Sequence, residues 1–284
     1  MISPLIESID QLRRQLAAEP SSGTIGFVPT MGALHAGHAS LIDRARNDCS
    51  RVIVSVFVNP LQFDRDDDLR KYPRTLDADR QLCGSHGVDL VFAPAVQEMY
   101  PTPLACRIDV GALADHLCGK FRPGHFQGVA TVVMKLFQIV QADRSYFGEK
   151  DAQQLAIVRR LVRDLNVPTE VVGVPTVREP DGLALSSRNR LLSPDERELA
   201  PALYVALSEA SRQIAAGVRD PASVRNAAIA HIPDHQKVRV EYLEIVGPDD
   251  MQPVDSILGT VCVAGALWVG STRLIDNIRC TPSS

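Results

Sequence analysis

The chain has 284 residues, 45% of them hydrophobic and 23% charged, the balance of a folded globular protein with one large or two modest domains. A formal charge of −4 supplies no clustered basic excess and argues against a nucleic-acid footprint. No apolar run reaches membrane-spanning length, and Met1-Ile2-Ser3-Pro4-Leu5-Ile6-Glu7 lacks the basic start and apolar core of a secretory signal, so no membrane and a cytoplasmic location are expected.

Helical spacing runs over Ile9–Ala18. Residues 24–28 (TIGFV) read as the first strand, buried and parallel, and 39–49 as the helix that follows it. Residues 51–58 form an unbroken β-branched run of the kind found in strands covered on both faces. Further along, 76–85 predicts a helix, 88–92 a strand, 129–140 a strongly apolar helix and 145–147 a short strand. An amphipathic helix at 152–165, with Arg159, Arg160 and Arg163 outside, and a strand at 169–174 complete the series. This alternation predicts an α/β fold, a doubly wound parallel sheet whose ligands bind beyond the carboxyl ends of its strands. After Pro175 the pattern changes. Ser193 as N-cap, Pro194 at the first helical position and Glu196 at the third predict a long helix to about residue 216. A shorter helix at 220–232 and strands at 238–246, 261–269 and 273–278 follow. They predict a second, smaller α+β domain at 177–284 after a first domain at 1–176. Six cysteines (49, 83, 106, 118, 262 and 280) make no CxxC pair, which predicts reduced and mostly buried thiols.

The residues able to carry chemistry fall at the predicted strand ends. Residues 29–38, PTMGALHAGH, take the chain from a strand through glycines into a helix, which brings free backbone N–H groups and a positive dipole end to one point. His35 and His38 stand there, and imidazole can donate to phosphate oxygens and carry charge near neutral pH. A nucleotide phosphate cradle is one reading. A metal-binding HxxH pair without a nearby third ligand and a solvated turn are the others. In FVNPLQF (57–63) the amides of Asn59 and Gln62 suit a small hydroxylated or carboxylated substrate, although Asn-Pro also opens ordinary turns. In FGEKDAQQ (147–154), Lys150 could neutralise phosphate and Asp151 take ribose hydroxyls, with Gln154 one helical turn beyond Lys150. A helix-start charge cluster capped by Asp151 fits the same residues. In REPDGLALSSRN (178–189), Ser186, Ser187 and Arg188 can bind phosphate by hydrogen bonds and charge. That polar stretch suits either a mobile lid or a plain linker. RPGHFQGV (122–129) could orient phosphate or form a tight turn before a helix.

PTMGALHAGH, FVNPLQF, KYPRT, RPGHFQGVATVV, FGEKDAQQL and VREPDGLALSSRN occur here in that order. Through them the chain resembles the pantothenate synthetase (pantoate–β-alanine ligase) family of HIGH-motif nucleotidyltransferases, whose relatives include class I aminoacyl-tRNA synthetases. HAGH is similar to HIGH, and the Ser-Ser-Arg loop is similar to that group's second phosphate loop. The resemblance implies a Rossmann-like nucleotidyltransferase domain with a smaller C-terminal lid, a homodimer, and the use of ATP, Mg²⁺, pantoate and β-alanine. It assigns ATP to Met31, Gly32, Ala33, Leu34, His35, Ala36, Gly37, His38, Gly148, Glu149, Lys150, Asp151, Val177, Leu185, Ser186, Ser187 and Arg188. His38 corresponds to the general acid, with His35, Lys150 and Arg188 as charge partners. Gln62 and Gln154 correspond to pantoate ligands, Gln62 also near β-alanine and Asn59 close by. No protein metal ligand is implied. Two rival readings are a related nucleotidyltransferase that stops at nucleotide transfer and a nucleotide sensor without catalysis.

Overall fold

The computed structural model of the chain describes residues 2–18 and 23–282. These fall into two compact units. One takes the chain up to Val110 together with Arg122–Glu149 and Ile157–Pro175; the other takes Gly111–Phe121, Lys150–Ala156 and the chain from Thr176 onward.

The first unit is built on six parallel strands: β1 (Leu5–Ile6), β2 (Ile25–Thr30), β3 (Arg51–Val56), β4 (Leu90–Phe92), β5 (Arg144–Gly148) and β6 (Glu170–Val174). Their order is β1-β4-β3-β2-β5-β6. Val52, Ile53 and Val54 of β3 are wholly buried, as an unbroken apolar run in a central parallel strand requires. The chain winds outward from β2 through β3 and β4 on one side and returns to β5 and β6 on the other. The carboxyl ends of β2 and β5 therefore form the topological switch point at which ligands bind in such sheets. The expected α/β architecture is thus present, although 24–28 is not the first strand. The two-residue β1, too short to show a period, precedes it and pairs with β4.

Two helices begin before the point their apolar spacing marks. Ala36–Asp48 starts three residues earlier than 39 because His35 caps it, and His125–Val140 starts four residues earlier than 129, after Gly124 in the left-handed region. Gly128 on that helix permits a close approach: a Cβ there would lie 2.2 Å from the Leu61 carbonyl oxygen.

The second unit carries the antiparallel sheet β7-β8-β9, formed by Val238–Val246, Val261–Val269 and Thr272–Cys280. Helices Ala202–Ala215 and Pro221–Ile229 bury Leu203, Leu207, Ile214 and Val224 in one core with Leu243, Val263 and Leu267 of the sheet. The single long helix expected from residue 193 to 216 is instead two, Pro194–Leu199 and Ala202–Ala215. Pro201 separates them, since its ring removes a helical donor and crowds the preceding turn. The predicted start is intact: Ser193 Oγ accepts from Glu196 N at 3.3 Å, and Glu196 Oε2 accepts from Ser193 N at 2.9 Å. Ser193→Ala should therefore lower stability by about 1 kcal/mol, read as a shifted urea midpoint with an unchanged m-value.

One cut near residue 176 does not separate the units. Residues 111–121 and 150–156 cluster with the second unit because Leu117 and Ala156 share one apolar core with Tyr242, Val246 and Ala264, and Gln153 ties the two segments to each other. Its Nε2 donates to the Leu113 and His116 carbonyls at 2.8 and 2.9 Å, and its Oε1 accepts from Gly119 N at 3.3 Å. All six cysteines are free; Cys106 is exposed and the rest are buried. Burial pushes the Cys83 and Cys262 thiols up to about 12, which keeps them uncharged. Among the described residues no helix is long and apolar enough to cross a membrane.

Candidate active site

The loop after β2 is held in an unusual conformation by an internal carboxylate. Gly32 and Ala33 are both left-handed, with φ of +82° and +52°, and for Ala33 this costs about 1 kcal/mol or more. Asp79, only 2% exposed, holds them there. Its Oδ2 accepts from Ala33 N at 3.1 Å, and its Oδ1 accepts from Leu34 N at 2.8 Å and from the Thr75 hydroxyl at 3.2 Å. Gly32 N donates to Thr30 Oγ1 at 3.1 Å. The expectation of free backbone N–H groups here is therefore corrected: those of Gly32, Ala33 and Leu34 are all spent on protein oxygens.

The two histidines carry the donors instead. His35 Nδ1 accepts from Gly37 N at 3.1 Å, and His38 Nδ1 accepts from His35 N at 3.3 Å, a capping box made of imidazoles. A ring nitrogen that accepts a hydrogen bond carries no proton, so each neutral ring bears its proton on Nε2. The rings lie 4.2 Å apart between centroids, tilted by 53°. Two half-buried N–H donors thus stand side by side at a helix N-terminus.

The second motif meets the first directly. Gln62, in the short turn Pro60–Gln62, is buried, and its Nε2 lies 2.9 Å from Met31 Sδ, a weak acceptor that a better one can displace. Asn59 is 1% exposed and saturated. Its Nδ2 donates to Gln62 Oε1 and the Gly128 carbonyl, both at 3.1 Å, while its Oδ1 accepts from Leu61 N at 3.3 Å and Tyr100 Oη at 2.8 Å. Burial pushes the Tyr100 hydroxyl up, keeping it a donor. RPGHFQG, left between phosphate binding and a turn, braces this same corner. The Arg122 guanidinium and His125 Nδ1 donate to the Gln62 carbonyl at 3.2 and 2.7 Å. Arg122 also binds Asp64 at 3.0 Å. Burial works against the Asp64 charge, yet Arg122 outweighs it and holds that carboxyl below its ordinary range.

On the other side of the switch point β5 ends at Gly148, where an added Cβ would meet no described atom within 4 Å, and Glu149 follows. In the second unit, Lys150 has a side chain only 18% exposed, 3.6 Å from Asp151 Oδ1. Adjacent glutamines divide their roles: Gln153 is consumed by the backbone bonds above, whereas half-buried Gln154 makes no side-chain hydrogen bond among the described residues. The Ser-Ser-Arg segment ends an ordered hairpin. Leu185 N donates to the Val177 carbonyl at 3.0 Å, and Gly182, at φ +92°, closes the turn. Ser186 caps the turn Ser187–Leu191, its Oγ accepting from Arg188 N at 3.3 Å. Lys150, Ser186 and Arg188 line one small recess.

Asp79 was not anticipated among the chemistry-bearing residues. Its signal was an acidic residue spaced three from Leu76 and four from Cys83 on the inward stripe of the helix Leu76–Ser85. Among the described residues no group of three or more His, Cys, Asp or Glu side chains is arranged to hold a metal ion.

The family model described as pantoate-beta-alanine ligase matches residues 4–279. A pantothenate synthetase from Geobacillus kaustophilus is 54% identical over 273 residues, covering 96% of this chain and 90% of its own length. The crystal structure of pantothenate synthetase from Thermus thermophilus superimposes with a TM-score of 0.93 at 48% identity, covering 98% of this chain and all of that one. A pantoate-beta-alanine ligase from Francisella tularensis, complexed with beta-gamma ATP and beta-alanine, gives a TM-score of 0.81 at 35% identity and covers 97% of both chains. With the histidine box, the Gln62 corner and the Lys150–Arg188 recess built from the same motifs that suggested it, the chain belongs to the pantoate–β-alanine ligase family.

Proposed function

We propose that the chain joins (R)-pantoate to β-alanine at the expense of ATP, forming pantothenate through a pantoyl adenylate. In the first step a pantoate carboxylate oxygen attacks the α-phosphorus and the bond to the β-phosphate oxygen breaks, releasing pyrophosphate. In the second the neutral amine of β-alanine attacks the activated acyl carbon, AMP leaves, and the nitrogen gives up a proton. A carboxylate approaching a polyanion needs charge cancellation and alignment rather than a protein nucleophile.

The observation that carries this reading is the imidazole capping box. Because both Nδ1 atoms accept backbone N–H groups, His35 and His38 offer Nε2–H donors suited to phosphate oxygens whose charge rises during attack. We assign to ATP residues 31–38 and 148–149 of the first unit, and Lys150, Asp151, Val177 and residues 185–188 of the second. His38 acts as the principal donor, supported by His35, Lys150 and Arg188. Gln62 and Gln154 take pantoate, with Gln62 also serving β-alanine, and saturated Asn59 positions Gln62 rather than touching substrate. Mg²⁺, if bound with ATP, would supply charge that neutralises the phosphates; among the described residues no group of three or more His, Cys, Asp or Glu side chains would hold it apart from the nucleotide.

This division of the glutamines gives a sharp contrast. Gln154→Ala should raise KM for pantoate at least about tenfold with little change in thermal stability, as expected for a lost ligand bond. Gln153→Ala should lower thermal stability, since it strips partners from buried backbone groups. Equal loss of pantoate affinity in both variants would contradict the assignment.

The overall reading is tested by mass spectrometry of the protein incubated with ATP, Mg²⁺, pantoate and β-alanine. Pantothenate with AMP and pyrophosphate is expected. An adenylylated product alone would favour a transferase that stops at the first step, and no turnover would favour a sensor. We further infer a homodimer in the cytoplasm, supported by the family resemblance; light scattering should give twice the mass of one chain.

A further inference from the structure

We propose that Asp276 and Asn277, adjacent residues of β9, are positioning residues that set Lys150 and the Ser186–Arg188 segment in one arrangement for the nucleotide phosphates. The inference rests on the proposed ATP site and adds to it two residues that act through Arg178 and Lys150, Asp276 also forming part of the wall of the recess that Lys150, Ser186 and Arg188 line. Both are buried, at 5% and 8% exposure.

Each makes a separate tie. The Asp276 carboxylate grips the Arg178 guanidinium at both ends, Oδ2 to Nη1 at 2.5 Å and Oδ1 to Nη2 at 3.0 Å. This bidentate geometry fixes direction as well as distance. The guanidinium also lies over the Tyr204 ring, 4.4 Å from its centroid, and donates to the Gly182 carbonyl at 3.0 Å. Arg178 bridges Ala184 across the hairpin, two residues before Ser186, so the grip on Arg178 orients the strand that delivers the serine. Asn277 makes the other tie: its Nδ2 donates to the Lys150 carbonyl at 2.9 Å. The two residues are themselves joined, since Asn277 N donates to Asp276 Oδ1 at 2.8 Å and Arg178 Nη2 donates to the Asn277 carbonyl at 3.3 Å.

Lys150 and Ser186 are 36 positions apart in sequence and line the same recess. One dipeptide, anchored in a strand with nine paired positions to β8, links the backbones that carry them. A lysine and a hydroxyl loop gain phosphate affinity only when held in register, and a displacement near 1 Å at such a site can slow chemistry by about 10²-fold. Because these groups act on the triphosphate, their misplacement should fall on adenylate formation. Attack of β-alanine on an adenylate already made should be spared.

The test separates the half-reactions. Asn277→Ala removes the tie to the Lys150 carbonyl, together with the weak bond that Asn277 Oδ1 accepts from Cys262 Sγ, and leaves the Asp276–Arg178 pair; Asp276→Asn is the isosteric companion. Three quantities would be read for each variant and for the wild-type chain: ATP affinity by calorimetry, pantoate-dependent ATP–pyrophosphate exchange, and pantothenate formation from supplied pantoyl adenylate and β-alanine. For Asn277→Ala we expect ATP affinity and exchange to fall about tenfold or more, with the second half-reaction within about twofold of wild type. Equal losses in both half-reactions would overturn the proposal in favour of a general structural role, as would unchanged affinity and exchange. If Asp276→Asn does not fold, Asn277→Ala decides. Failure of the wild-type chain in both half-reactions would count against the ligase reading itself, while the ratio of variant to wild-type ATP affinity would still decide the positioning claim.

Discussion

Alanine in place of His38 is expected to slow pantoate-dependent ATP–pyrophosphate exchange by about 10²-fold or more, the scale of removing one donor aimed at developing transition-state charge. Lys150→Ala should do the same. The effect on kcat should exceed that on KM for ATP, because the donors strengthen as charge builds on the phosphate oxygens. His38 has two tasks, and they can be separated. Its Nδ1 accepts His35 N and helps start the helix Ala36–Asp48, while its Nε2 carries the proton assigned to phosphate. His38→Asn keeps an acceptor for His35 N but loses the distal donor. It should therefore retain more thermal stability than His38→Ala and lose as much exchange. Exchange near the wild-type rate in His38→Ala or Lys150→Ala would remove those residues from the chemistry.

The second large effect is expected at Asp79, a residue that faces backbone rather than substrate. Its two oxygens hold Ala33 N and Leu34 N separately. Asparagine has nearly the same shape but one acceptor oxygen, so Asp79→Asn brings an amide N–H against a backbone N–H. A buried donor left unsatisfied costs about 1–3 kcal/mol. Release of the left-handed Gly32–Ala33 pair adds to the functional damage, because the His35 cap begins directly after Leu34. The variant should unfold at lower urea and lose exchange activity together, with Asp79→Glu unable to restore either in so tight a site. Wild-type stability and exchange in Asp79→Asn would show that the loop keeps its shape without the carboxylate.

The sequence made the sheet legible wherever burial on both faces left a long apolar run, as in β3, and wherever a turn residue closed a helix. It was silent on β1, whose two residues make sense only beside β4. It merged two helices around Pro201 because their apolar spacing continues across the break. At the site, motif order identified the residue types but not their partners. Nothing in PTMGALHAGH reveals that a carboxylate over forty residues away consumes its backbone donors, or that Nδ1 of each histidine faces inward. Likewise QQ at 153–154 reads as two equivalent amides until the Gly111–Phe121 segment claims one of them. Such facts arise from long-range contacts, to which local periodicity is blind.

The central claim is that a carboxylate oxygen of pantoate becomes bonded to the α-phosphorus of ATP. Pantoate labelled with ¹⁸O in both carboxylate oxygens tests it most directly. An adenylate route breaks the acyl carbon–oxygen bond when β-alanine attacks, so the released AMP must carry one ¹⁸O atom and the pantothenate amide carbonyl the other. AMP without label, formed alongside pantothenate, would contradict the mechanism proposed for these residues.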